Sequence, residues 1–99
     1  MRLIFLCAAL AAAPAMAGDL VARQGGDTIR LADGPCTSEL VLGRLQARLH
    51  SQYKAASAVV QGQTFVACWR VAGHAVHLMY EDGDQGLVPM AALKPELIA

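Results

Sequence analysis

Aromatic side chains are scarce in this chain: two phenylalanines, two tyrosines and one tryptophan among 99 residues. With so few large rings the core is expected to be thin, and each ring carries weight in any account of packing or binding. Charge is equally sparse and shows no bias of sign. Eight Lys and Arg stand against eight Asp and Glu, which leaves no surplus to draw nucleic acid or an anionic lipid surface. Cysteine occurs three times, never in a CxxC pair, so neither a zinc ribbon nor a dithiol redox motif is written here. The sequence has no G-x-S-x-G elbow and no EF-hand spacing. An apolar run long enough to cross a bilayer is missing as well. The N-terminal run Leu3–Ala13 stops at Pro14, well short of the roughly twenty residues a span needs.

That run has another reading. Arg2 precedes it, and Ala15-Met16-Ala17 follows it before Gly18-Asp19, the order of a basic n-region, an apolar h-region and an A-x-A cleavage site. Residues 1–17 are therefore expected to be a signal peptide cut after Ala17, with 18–99 forming a single small domain. Cys7 lies too early in the run to serve as a lipoprotein cysteine. Removing Arg2 takes the net charge from zero to minus one. Export also takes away Cys7 and leaves Cys36 and Cys68, an even pair bound for an oxidising compartment, where a disulfide between them is expected. Location in the periplasm or outside the cell follows from the same reasoning, with no membrane span after cleavage.

Along the mature chain, Leu20–Arg23 and Thr28–Leu31 read as two short strands joined at Gln24-Gly25-Gly26-Asp27, where glycine supplies the positive φ of a tight hairpin. Asp33-Gly34-Pro35 breaks the second strand just before Cys36. Ser38 and Glu39 then look like an N-cap and a first-turn acid, and Val41, Leu42, Leu45, Leu49 and Tyr53 recur at three- and four-residue steps. This pattern predicts one amphipathic helix over 38–53, with Gly43 as a close-packing position. Beyond it the period shortens. Ala58–Val60, Thr64–Val71, Ala75–Tyr80 and Gln85–Val88 alternate with Gly-bearing turns, as in an antiparallel meander. Pro89 ends the last strand, and Met90–Leu93 makes one short turn. The expected fold is α+β in the order ββαββββ, a strongly curled antiparallel sheet of barrel-like tendency with one helix and one disulfide.

No nucleophile, base and orienting group are grouped in a way that predicts catalysis, and the expectation is a protein that is not an enzyme and carries no cofactor. His74 and His77 fall on opposite sides of a strand if both belong to one, so a zinc pair is not expected. Glu81-Asp82-Gly83-Asp84 reads as a solvated hairpin turn in preference to a calcium loop. Within Thr64–Val71 the alternation puts Phe65, Ala67, Trp69 and Val71 on one face and Val66, Cys68 and Arg70 on the other. A bond from Cys68 to Cys36 draws the helix, with Leu42, Leu45 and Leu49, onto the second face. The first face then has little to cover it. Phe65, Trp69 and Tyr80, flanked by Glu81, Asp82 and Asp84, are accordingly the candidate partner-binding residues, bordering a partly exposed apolar patch.

Gly25-Gly26-Asp27-Thr28-Ile29-Arg30-Leu31, Ala67-Cys68-Trp69 and the run Val76–Pro89 together resemble small signal-bearing proteins encoded by phages and prophages of proteobacteria. Leu93 stands where those proteins often have an aromatic residue. Those proteins have no assigned activity. Taken with the export signal, the expected disulfide and the missing catalytic set, the resemblance leads to the expectation of an exported accessory protein that binds a host cell-envelope component. An inhibitor of an envelope enzyme such as a lysozyme or protease, and a structural or orphan domain, are the alternatives. The spacing Val-x-Leu-x-Tyr-x-Asp-Gly-Asp over 76–84 also resembles a strand pair of Tudor and other SH3-like barrels, an analogy of fold alone.

Overall fold

The computed structural model describes residues 19–96, so the leader expected at 1–17 and its cleavage point lie outside the described residues. The elements run β1 (Leu20–Gln24), β2 (Asp27–Pro35), a single-turn helix α1 (Glu39–Leu42) and a 3-10 segment (Ala47–Gln52). Four more strands follow, β3 (Lys54–Val60), β4 (Gln63–Ala72), β5 (Ala75–Tyr80) and β6 (Gln85–Pro89), then a 3-10 turn (Met90–Ala92) and β7 (Lys94–Pro95). All seven strands belong to one sheet ordered β6-β5-β4-β3-β2-β1-β7. Every described pairing in it is antiparallel.

The hairpins arise where expected. Gly25 takes a φ of 61° between β1 and β2, and Gln61-Gly62 (φ 51° and 81°) turns β3 into β4. Positive φ at both central residues matches the right-handed twist of the flanking strands, and the Gln61 amide is held by Asp27 Oδ1 at 3.2 Å.

The alternation of side chains sorts the molecule into two cores on opposite faces of the sheet. Leu31, Ala56, Ala67, Trp69, Val76, Leu78 and Val88 form the inner core. Leu20, Ala22, Ile29, Tyr80 and Leu93 pack against it. Ala22 of β1 and Val88 of β6 border a single groove, although in a flat sheet five strand spacings would set them roughly 24 Å apart. The sheet is therefore curled into a half-barrel. The outer face of β4 carries the second core: Cys36, Val41, Tyr53 and Cys68, with Leu42, Leu45, Leu49 and Met79. Val41 and Cys68 are almost wholly buried there, so the leucines do lie on the Cys68 face.

The helix expected over 38–53 is a correction. Only Glu39–Leu42 is α-helical; Gly43 caps it, and the chain resumes as 3-10 over Ala47–Gln52. Closure explains the break. A sixteen-residue helix would be about 24 Å long, yet Pro35 pairs with Lys54 across β2 and β3, and the Cys36 amide donates to the Tyr53 carbonyl at 3.1 Å. Both ends of the segment must return to the same spot. Glycine, with its low helix propensity, is where the chain turns. His50 serves the break, its Nε2 lying 2.8 Å from the Leu42 carbonyl and 3.3 Å from that of Leu45. Since a carbonyl only accepts, Nε2 carries the proton. Ser38 does cap α1, accepting from the Val41 amide at 3.2 Å. The fold is thus mostly sheet, with β7 added to the expected strands, and not α+β with one amphipathic helix.

Cys36 and Cys68 are bonded, 32 residues apart in sequence. In the chain-entropy account a loop of this length stabilises the native state by about 3 to 4 kcal/mol. Urea denaturation of the Cys36→Ser/Cys68→Ser double variant is expected to show that loss, and an unchanged midpoint would contradict it.

Candidate functional site

The aromatic face of β4 divides in two. Trp69 was expected to border an exposed patch, but it is core: 9% of it is exposed, and its indole Nε1 donates to the Ala32 carbonyl at 2.9 Å. That acceptor exists because the register of β2 against β3 shifts between Leu31 and Pro35. A bulge leaves a carbonyl outside the regular ladder, and the indole takes it. Trp69 also lines a depression of about 310 Å³ with Gln52, Lys54, Arg70 and Val71. Lys54 Nζ sits 5.6 Å above the ring and pairs with Asp33 at 2.9 Å.

Phe65 lies four residues away on the same face, which along a strand is about 13 Å. It remains 39% exposed. Phe65, Tyr80, Glu81 and Asp82, with Thr64 and Val66, line a separate depression of about 230 Å³. Four of the six expected partner-binding residues therefore meet at one place, while Trp69 and Asp84 do not line it.

The acids of that turn have structural duties. Asp82 Oδ1 accepts from the Asp84 amide at 2.8 Å, and Asp84 Oδ1 accepts from the Gln85 amide at 3.0 Å. Glu81 accepts from the Ser38 hydroxyl at 2.7 Å, which pins α1 to the β5–β6 turn. Arg44 adds a contact from its guanidinium to the Glu81 carbonyl at 3.4 Å. Burial, then the charges of Asp84 and Asp82, raise the Tyr80 phenol above its usual pKa near 10. The depression thus offers two aromatic rings beside the side chains of Glu81 and Asp82.

A second grouping was not foreseen. On the outer face Arg70 and His77 are directly opposed across β4 and β5. The Arg70 guanidinium lies over the Tyr53 ring at 5.4 Å and donates to Gln52 Oε1 at 2.7 Å. His77 meets the Tyr53 hydroxyl at 3.4 Å through Nδ1, and Gln85 Oε1 at 2.7 Å through Nε2. These contacts tie the end of the 3-10 segment and Tyr53 to β4, β5 and β6. Strand alternation alone puts Arg70 on this face, but pairing it with His77 requires the register. Among the described residues, no group of three or more His, Cys, Asp or Glu is placed to hold a metal ion. No helix among them is long and apolar enough to cross a membrane.

Compared with known proteins, the chain matches no family model, no curated protein and no solved structure.

Because Trp69 is the single tryptophan, its environment is directly readable. Its fluorescence is expected to resist acrylamide in the folded protein, and Trp69→Ala is expected to lower stability by about 3 to 5 kcal/mol. Ready quenching without unfolding would mean that the ring is open to solvent.

Proposed function

We propose that this is an exported binding protein of phage or prophage origin, which works in the periplasm by attaching to a host cell-envelope protein and catalyses no reaction. The depression bounded by Phe65, Tyr80, Glu81 and Asp82 is its contact site. One observation carries this reading: Phe65, a large ring in a chain with few of them, is left 39% exposed beside a second ring and two carboxylates. Val66, exposed at 45%, lines the same depression and adds to its apolar surface. Covering a ring of this kind is worth about 1.5 to 3 kcal/mol, and aromatic anchors dominate binding energy at interfaces. The acidic rim favours a partner segment that carries Lys or Arg beside an apolar side chain. The disulfide supports an extracytoplasmic site of action, since such bonds persist in oxidising compartments.

Capture from periplasmic extract on the immobilised mature protein tests this. A partner is expected to be retained by the wild type, and Phe65→Ala is expected to weaken its retention about tenfold or more. Phe65 is exposed enough for that variant to keep its fold, as circular dichroism will show. Equal retention by Phe65→Ala, or none by the wild type, would defeat the reading.

A further inference from the structure

The two edges of the sheet are finished differently. β7 presents only Lys94 and Pro95, a charge and a residue without an amide proton, both of which discourage strand addition. β6 is five residues long, carries no charged side chain from Gln85 to Pro89, and has Leu87 exposed at 69%.

The hydrogen bonding of β6 follows from the bonds at its two ends. The Tyr80 amide donates to the Asp84 carbonyl at 2.8 Å, and the Met90 amide donates to the His74 carbonyl at 3.0 Å. The register between them is unbroken, from Met79↔Gln85 to Ala75↔Pro89. Antiparallel pairs alternate between bonded and non-bonded. Gly86 and Val88 therefore bond to β5, whereas the main-chain groups of Gln85, Leu87 and Pro89 point out from the edge. Pro89 has no N–H, and the Gln85 N–H is held by Asp84 Oδ1. Leu87 is left as the one residue of β6 offering the edge both an unengaged donor and an acceptor.

Such an edge fits its own copy. We infer that two molecules pair β6 to β6 antiparallel, about a two-fold axis at Leu87. Each Leu87 N–H donates to the Leu87 carbonyl of the second copy, and each Gln85 N–H turns from Asp84 to the Pro89 carbonyl opposite. The proline is tolerated because its position is asked only for an acceptor. Leu87 and its symmetry mate then face each other on the outer side of a continuous sheet, covering the most exposed large apolar side chain among the described residues. No like charges are brought together within the strand, and the same patch serves both molecules, as an isologous contact requires. Phe65, Glu81 and Asp82 lie outside β6, so the Phe65 contact and the β6 pairing are tested by different variants.

Sedimentation equilibrium of the exported, oxidised chain from micromolar to millimolar concentration tests the pairing, with amide exchange followed by NMR over the same range. The mass is expected to rise to twice the monomer's. The Leu87 amide is expected to slow about tenfold as it does so, while that of Gly86, already bonded within the sheet, changes little. Leu87→Lys sets two ammonium groups against each other and is expected to stay monomeric; Leu40→Lys, at a position 62% exposed on α1, is expected to dimerise as the wild type does. A wild type that remains monomeric throughout, a dimer that survives Leu87→Lys, or a Leu87 amide indifferent to concentration would each overturn the inference.

Discussion

The Cys36–Cys68 bond is the constraint on which the two-layered character of this small protein depends. It fastens the point where the chain leaves β2 to the middle of β4, and the Cys36 amide reaches the Tyr53 carbonyl beside it. Because Pro35 pairs with Lys54, the intervening segment must leave the sheet and return within one strand spacing. It therefore cannot extend as a helix, and it folds down as a lid over the outer face of β4. Val41 of the lid and Tyr53 at its end are buried at 0% and 3% exposure against Cys68. Burying side chains of this size contributes about 1.5 to 3 kcal/mol each, comparable with the chain-entropy effect of the bond itself. Covalent closure and apolar burial act at the same place.

With the lid in place β4 is covered on both faces, Cys68 facing out and Ala67 and Trp69 facing in. The curl of the sheet follows from the inner side. Alanines at positions 56, 58 and 67 are buried there among Leu31, Leu78 and Val88, and small side chains on the concave face let the strands bend around the few large ones. The half-barrel does not close, since β7 pairs with β1 alone and no described pairing joins it to β6. An open seam and a free β6 edge are the result. The surfaces available for binding are thus what remains after one short lid and one curled sheet have covered what they can. Phe65 and Leu87 fall beyond the reach of both.

Much of this was legible where local chemistry decides. The hairpins at Gln24–Asp27 and Gln61-Gly62, the two-faced pattern of β4 and the pairing of Cys36 with Cys68 needed only turn residues, period-two alternation and an even cysteine count. Placing Phe65 beside Tyr80, Glu81 and Asp82 takes the register of β4 against β5 as well. What escaped was set by contacts distant in sequence. The apolar spacing from Val41 to Tyr53 suits a long helix and equally suits a helical turn followed by a 3-10 segment, and the pairing of Pro35 with Lys54 selects the second. Lys54-Ala55-Ala56-Ser57 has little intrinsic strand preference, and it extends β3 because β2 and β4 both need a partner there. Trp69 packs into the inner core with its N–H satisfied by the Ala32 carbonyl at a bulge in β2, which alternation within β4 cannot reveal. The free edge of β6 likewise becomes visible only with the strand order.

The central claim is that the disulfide holds a lid on a sheet that has a core of its own. Hydrogen–deuterium exchange, compared between oxidised and reduced protein under native conditions, tests this most directly. The account predicts that reduction selectively deprotects the amides of α1 and of the 3-10 segment Ala47–Gln52, while the ladders of β3, β4 and β5 around Ala67 and Leu78 keep most of their protection. Uniform loss of protection across lid and sheet would contradict it, as would a lid whose exchange is unchanged by reduction.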